Sequence, residues 1–300
     1  MLLHDKYTLE MKVGEGSFAK VYTASCNTTG VVKAIKIINS HFFKAGRPTT
    51  EVEILKKCKH PNVIALQEEF TSNGDTALVF AAYDLDLESL LRRRRATPND
   101  FPTEHKVLIS AQMWAGVAYM HSISTLHRDI KPANVLIRFG SKVQAVLADM
   151  GLAVDISVPS PVAGEKGLDA STARVCSSGY VAPELLIVRE SKSACTSYGP
   201  GVDVWSVAVV TFEVWSLHHF IGYRKNIADE MRIIACRLGD TPNGYEKYIT
   251  PAPKDTKIAP YTKHVEEDLQ NVLALGLRWM PEQRATAQHI AESPSWGFAG

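Results

Sequence analysis

Residues 127–134 read HRDIKPAN and hold a histidine, an arginine, an aspartate, a lysine and an asparagine. They lie between an apolar stretch, Trp114 to Leu126, and a β-like run, Val135 to Ile137. Both flanks call for burial, so an ordinary solvated charge run does not fit there. Proton transfer and cation binding use these residue types when they are held in fixed positions.

A second candidate lies nearer the N-terminus. VGEGSFAKV (13–21) sits between two strand-like runs. Gly14 and Gly16 let backbone amides approach phosphate oxygens, because no Cβ intervenes. Taken alone, the GxG reads first as a hairpin turn. Lys36 stands in the middle of an apolar strand, VKAIK. A lysine facing a core needs an anionic partner, and Glu51 on the following helical stretch can supply one.

These groups need elements to carry them. Residues 7–83 look strand-rich: YTLEMKV, KVYTAS, VVKAIKII and ALVFAA are broken by turn sequences such as NTTG (27–30) and SNGD (72–75). One helical pattern, about Thr49 to Lys59, interrupts them. After Tyr83 the pattern turns helical. Glu104–His121, Ile227–Leu238 and Val265–Met280 are amphipathic, and Val202–Leu217 is apolar all round. Residues 155–175 and 240–262 read as loops. A small α+β lobe before a larger helical lobe predicts a ligand cleft between them.

Composition excludes several classes. The 300 residues carry 33 basic and 32 acidic side chains, a net charge of +1, so bulk charge does not direct the chain to nucleic acid or membrane. The five cysteines are odd in number and widely spaced, which argues for free thiols and an intracellular setting, cytoplasmic or nuclear. MLLHDKYTLE lacks the apolar core of a signal peptide. VWSVAVVTFEVW (204–215) is too short to span a bilayer and reads as a buried helix. The ten histidines show no metal spacing. RRRR (92–95) reads as a solvated helix face in preference to a docking patch for an acidic partner or a nuclear signal.

Seven strings in order carry a resemblance: GEGSFAKV, AIK, HRDIKPAN, DMG (149–151), APE (182–184), DVWS (203–206) and a late Arg284. Over residues 7–300 the chain resembles a eukaryotic protein kinase catalytic domain of the serine/threonine type. The resemblance implies a bilobal α+β fold, a β-rich N-lobe with hinge (7–83), a helical C-lobe (84–300) and an ATP cleft between them. It implies that Asp129 orients the substrate hydroxyl and that Lys131 balances charge on the transferring phosphoryl. Asn134 and Asp149 would hold Mg2+, and Lys36, held by Glu51, would bind the α- and β-phosphates. The strand turn Val13, Gly14, Glu15, Gly16 would cover the phosphates. Val21, Ala34 and Leu136 would sandwich the adenine, with Phe80 as gatekeeper and Ala81 to Tyr83 as hinge. Glu184 and Arg284 would pair, Asp203 would cap the HRDIKPAN backbone, and Leu55, Leu66, His127 and Met150 would form a packing column. The alternative is a pseudokinase scaffold that binds partners; the presence of Lys36, Glu51, Asp129, Asn134 and Asp149 favours the enzyme.

Within the family the chain is most similar to the cyclin-dependent kinase-like group, through HPNVIAL (60–66), LVFAAYDLDLESLL (78–91), RLGDTPN (237–243) and MPEQRATA (280–287). That group implies a cyclin-like regulatory subunit. The chain departs from it at Thr50, Phe18 and Val181, which puts cyclin dependence and proline-directed specificity in doubt. Ala133 argues against selection of upstream arginine. Counting back from Ser177 places Thr172 where the group carries its activating phosphothreonine. Only Arg128 of the expected arginine partners is present, so partial activation is expected.

Overall fold

A computed structural model of the chain describes residues 2–3, 5–16, 19–39, 47–72, 74–157, 177–191, 198–241 and 260–297. The first part is a sheet of six antiparallel strands in the order β1-β2-β3-β4-β6-β5. They are β1 (Leu2–Leu3), β2 (Tyr7–Glu15), β3 (Ala19–Cys26), β4 (Val32–Ile38), β5 (Glu68–Ser72) and β6 (Asp75–Ala81). The period-two alternation of YTLEMKV puts Tyr7 and Leu9 inside against Ala24, Ile35, Ala77 and Val79. The expected NTTG turn forms, with Gly30 at positive φ, and Gly74, also at positive φ, lies where β5 and β6 meet through the Ser72–Asp75 pair. The sheet also contains β5, which the sequence patterning did not single out, because only alternate residues of EEFTS are half-buried.

Helix α1 (Arg47–Lys57) begins two residues earlier than the periodicity suggests and ends two earlier. It packs against the turn Met150–Leu152. The segment after it is stitched to the other lobe, since Ile64 N donates to the Leu147 carbonyl and Leu147 N to that of Asn62. Gly116 permits this approach: a Cβ there would lie 2.8 Å from the Asn62 carbonyl oxygen.

The second part is mainly helical. Its described helices are α2 (Leu87–Ala96), α3 (Thr103–Ser122), α4 (Pro183–Ser191), α5 (Gly201–Ser216), α6 (Ile227–Leu238), α7 (Glu267–Gly276) and α8 (Ala287–Ala291). Asp86 starts α2 as its N-cap, accepting from Ser89 N at 2.7 Å. Helix α5 is buried along nearly its whole length, as its apolar composition requires. The expected Val265–Met280 helix is shorter: Gly276 ends α7, and 277–280 leave the helical path. Short strands β7 (Leu85–Asp86), β9 (Val135–Arg138) and β10 (Gln144–Leu147) form a small sheet beside the hinge, and β8 (Thr125–Leu126) pairs with β11 (Val154–Asp155). One apolar core runs from α1 and β6 through α3 and α5 to α8. No helix among the described residues is long and apolar enough to cross a membrane.

Candidate active site

The HRDIKPAN loop follows β8 and is held from beneath by Asp203, in the first turn of α5. Asp203 is 1% exposed. Its Oδ2 accepts from His127 N and its Oδ1 from Arg128 N, each at 2.8 Å, and His121 Nε2 lies 3.0 Å from Oδ2. Burial alone would raise the Asp203 pKa. The hydrogen bond and charge of His121, with help from His127, outweigh burial and hold the carboxyl below its ordinary value. These bonds hold Arg128 at φ 67°, a left-handed conformation that costs a non-glycine residue about 1–2 kcal/mol. His127 is fully buried, with Nε2 3.0 Å from the Ala148 carbonyl.

With its backbone fixed, the loop presents Asp129. Lys131 Nζ lies 2.8 Å from Asp129 Oδ2 and Asn134 Nδ2 2.9 Å from the same oxygen. Ser177 Oγ donates to Oδ1 at 2.9 Å, and Lys131 Nζ also reaches Ser177 Oγ at 2.7 Å. A small pocket opens beside Asp129, lined on its apolar side by Ile130, Tyr180, Val181, Ala182, Leu185 and Val202.

Across the cleft, Lys36 on β4 reaches Glu51 of α1 at 2.7 Å and Asp149 at 3.0 Å. Burial works to lower the Lys36 pKa, but Asp149 and Glu51 win and raise it. For Asp149 burial works upward and Lys36 wins downward. The pair therefore stays charged from below the ordinary carboxylate range to above the ordinary lysine value. Gly14 pairs with Val21, and Val21 with Lys36 on the next strand. Ala34 pairs with Phe80, the next-to-last residue of β6, which packs against the core. Leu136 is half-buried on β9. Ala81 and Tyr83 follow Phe80, and the Arg138 guanidinium lies 4.3 Å over the Tyr83 ring while donating to the Ala82 carbonyl. Val13 and Glu15 are exposed on β2. Leu55, His127 and Met150 are buried, and half-buried Leu66 packs on the same core.

Arg284 satisfies all five of its donors: two bonds of 2.7 Å to Glu184 and one each to the carbonyls of Arg278, Gly201 and Trp279.

The decisive observation is that Lys36, Glu51 and Asp149 meet in one charged cluster and Asp129 and Asn134 in a second, the two joined where Ala148 N donates to the Asn134 carbonyl at 2.8 Å. A protein kinase domain family model matches residues 7–296. The chain belongs to the protein kinase family. Among its relatives, serine/threonine-protein kinase crk1 of Schizosaccharomyces pombe is 29% identical over 95% of this chain and 83% of that protein. Cyclin-dependent kinase B2-2 of Arabidopsis thaliana is 28% identical over 94% and 90%. Cyclin-dependent kinase D-1 of Oryza sativa subsp. indica is 30% identical over 96% and 66%.

A protein kinase uses ATP with a divalent metal, and the donors here fit one. Asp149 is a carboxylate with a side chain 51% exposed, and the Asn134 amide gives its nitrogen to Asp129, leaving its oxygen to a cation. Asn134 and Asp149 would hold the ion, and phosphate oxygens and water would complete its shell.

Several contacts in the kinase had no signal in the sequence. Lys57 ties the end of α1 to Asp155 at 2.6 Å and to the Ile123 carbonyl at 2.5 Å. Arg128 donates to the Leu152 carbonyl and, at 3.0 Å, to the Tyr198 hydroxyl. The RRRR run is only half the expected solvated face. Arg92 and Arg93 are exposed, whereas Arg95 turns inward to Glu213, because that buried carboxylate needs a cation. Position 50 carries a threonine and position 154, just after the DMG string, a valine, so neither supplies a second cation beside Arg128. Phe18, Thr172, Arg174 and Cys176 lie outside the described residues.

Proposed function

We propose that the kinase transfers the γ-phosphoryl of Mg-ATP to serine and threonine hydroxyls of proteins, with residues 7–300 as one catalytic unit. The observation that carries the proposal is the Asp129 cluster, a nearly buried carboxylate fixed by Lys131, Asn134 and Ser177 at one edge of the cleft. Asp129 accepts a hydrogen bond from the acceptor hydroxyl and aligns it. Lys131, already 2.8 Å away, offsets charge on the phosphoryl oxygens. Lys36, oriented by Glu51, contacts the α- and β-phosphates. Backbone amides of Val13–Gly16, at the end of β2, cover the phosphates, and Val21, Ala34 and Leu136 hold the adenine between Phe80 and the hinge at Ala81–Tyr83. Magnesium, held by Asn134 and Asp149, neutralises phosphate charge when bound. Positioning dominates, since the transition state is loose.

The names of the relatives point to a cyclin-like regulatory partner. The Lys36–Glu51 pair and the Lys57 tether of α1 are made within the chain itself, which supports basal activity without that partner.

The test is phosphate transfer to a degenerate serine/threonine peptide library with Mg-ATP. Asp129→Asn should lower turnover by roughly 10²–10⁴-fold with nucleotide affinity nearly unchanged. Wild-type turnover in that variant would remove Asp129 from the chemistry. Nucleotide binding by the wild type without any transfer would favour a scaffold.

A further inference from the structure

We propose that the arginine-rich C-terminal end of α2 binds an acidic, aspartate- and glutamate-rich segment of the protein substrate, next to the phosphoacceptor. The inference rests on the kinase reading above and names the class of substrate it acts on.

The charge is local. The chain as a whole is balanced, with 33 basic and 32 acidic residues. On α2, however, Arg92, Arg93 and Arg94 form no ion pair among the described residues. Glu88, one turn before Arg92, is spaced to pair with it and does not. Arg94 is half-buried, and its Nε is buried without a hydrogen-bond partner. Cations in a last helical turn do favour the helix dipole, but that effect is small and does not call for three in succession.

Their position links them to the acceptor site. Arg95 donates to the Leu217 carbonyl at 2.9 Å and lies 3.3 Å from Glu213 Oε2. The same oxygen accepts from the Tyr180 hydroxyl at 3.3 Å, and Tyr180 lines the pocket beside Asp129 and Ser177. Two side chains therefore separate the arginine helix from the pocket.

Of the carboxylates near Tyr180 and the substrate loop, Glu88 at the start of α2 is exposed and acts on Tyr180, while Glu213 and Glu230 are not open to a basic substrate. Glu213 is 1% exposed and surrounded by Arg95, His219, Tyr180 and Phe220 N. Glu230 is 3% exposed and accepts from Ser178 and Gly179 N. Arg95 thus neutralises Glu213, and Arg92, Arg93 and Arg94 outnumber exposed Glu88 on the same helix, which leaves surplus positive charge. An anionic chain laid along this edge meets complementary charge.

The test reads binding directly. Fluorescence polarisation compares a labelled short peptide with a central serine and glutamate flanks against the same peptide with glutamine flanks. Wild type should bind the acidic peptide roughly tenfold tighter, the scale of three exposed ion pairs acting together, and rising salt should erase the difference. R92Q/R93Q/R94Q should bind both peptides equally. R92Q/R93Q, which leaves half-buried Arg94 in place, should lose most of the preference. Phosphotransfer to a neutral peptide should stay unchanged in both variants. Equal affinity of wild type for the two peptides, or an undiminished preference in both variants, overturns the proposal. So does tight binding confined to a phosphoserine peptide or to anionic vesicles. Binding is read without turnover, so a failure of the phosphotransfer reading would register separately.

Discussion

Arg284 and Arg128 grip opposite ends of the stretch that runs from Asp149 to Glu184, and they grip it differently. Arg284 has a side chain with no exposure, a bidentate carboxylate and three carbonyls, with all five donors used. Arg128 reaches one carbonyl and one tyrosine hydroxyl, and no carboxylate lies within ion-pair distance among the described residues. Its backbone sits at positive φ and is held by Asp203, not by its own guanidinium. One end of the substrate segment is therefore locked by charge. The other is fixed through the backbone, with a cation left only lightly engaged.

The largest effect should come from the locked end. Arg284→Met leaves the Glu184 carboxylate, 15% exposed, without its cation, and removal of one partner of a buried pair costs about 3–5 kcal/mol. Urea denaturation should register that loss. The double variant Arg284→Met/Glu184→Leu should recover much of it, since the uncompensated charge goes too. A comparable loss in Arg128→Met would break the contrast between the two arginines.

How much of this was legible depends on distance along the chain. Lys36, Asp129 and Asn134 stand out in the sequence because each lies in a short string whose neighbours fix its setting, as Val135–Ile137 does for Asn134; their roles, and Asp149 altogether, come through the family resemblance. The Asp203 cap and the Glu184–Arg284 pair are distant contacts, and they were reached only through the family resemblance. Lys57–Asp155, Arg128–Tyr198 and Arg95–Glu213 had no such support. Each joins a loop or helix end to a residue 70 or more positions away, and neither periodicity nor local spacing encodes such a partner. Four consecutive arginines look alike in sequence; only the helix angle and the buried Glu213 separate Arg95 from the rest.

Lys36 tests a middle case, a cation between a helix carboxylate and a half-exposed one. Lys36→Met should reduce phosphotransfer at least about tenfold, near 1.4 kcal/mol in the barrier, while the chain stays folded. The pH dependence follows from the Asp149 pKa. Burial would raise that carboxyl, but Lys36 holds it below its ordinary 3.8. A depressed carboxyl contributes stability above its unfolded value and loses it as pH falls through the folded one. The gap in denaturation midpoint between wild type and Lys36→Met should therefore narrow as pH drops below about 4. It should narrow only slightly, because solvent screens an exposed carboxylate. A gap that widens on acidification would mean that Lys36 is held by something other than these carboxylates.

The smallest effect belongs to Tyr198→Phe, which loosens the light grip on Arg128. Phenylalanine keeps the ring of a half-buried tyrosine and removes the hydroxyl that takes Arg128 at 3.0 Å. A hydrogen bond to a charged group is worth about 1.5–3 kcal/mol when well formed and shielded. Here the guanidinium keeps its 2.6 Å bond to Leu152 and is itself half-buried, so water can replace the lost partner. The expected loss is roughly 0.5–1 kcal/mol, the range of an ordinary exchange with solvent. The loop backbone should hold, because Asp203 keeps both of its amide bonds whatever the side chain does. Phosphotransfer should then change by no more than about fivefold, the same energy expressed as a rate. Urea midpoints and initial rates on one peptide measure both quantities. A stability loss approaching that of Arg284→Met would show that Tyr198 carries the anchor, and that the two ends of the segment are pinned alike.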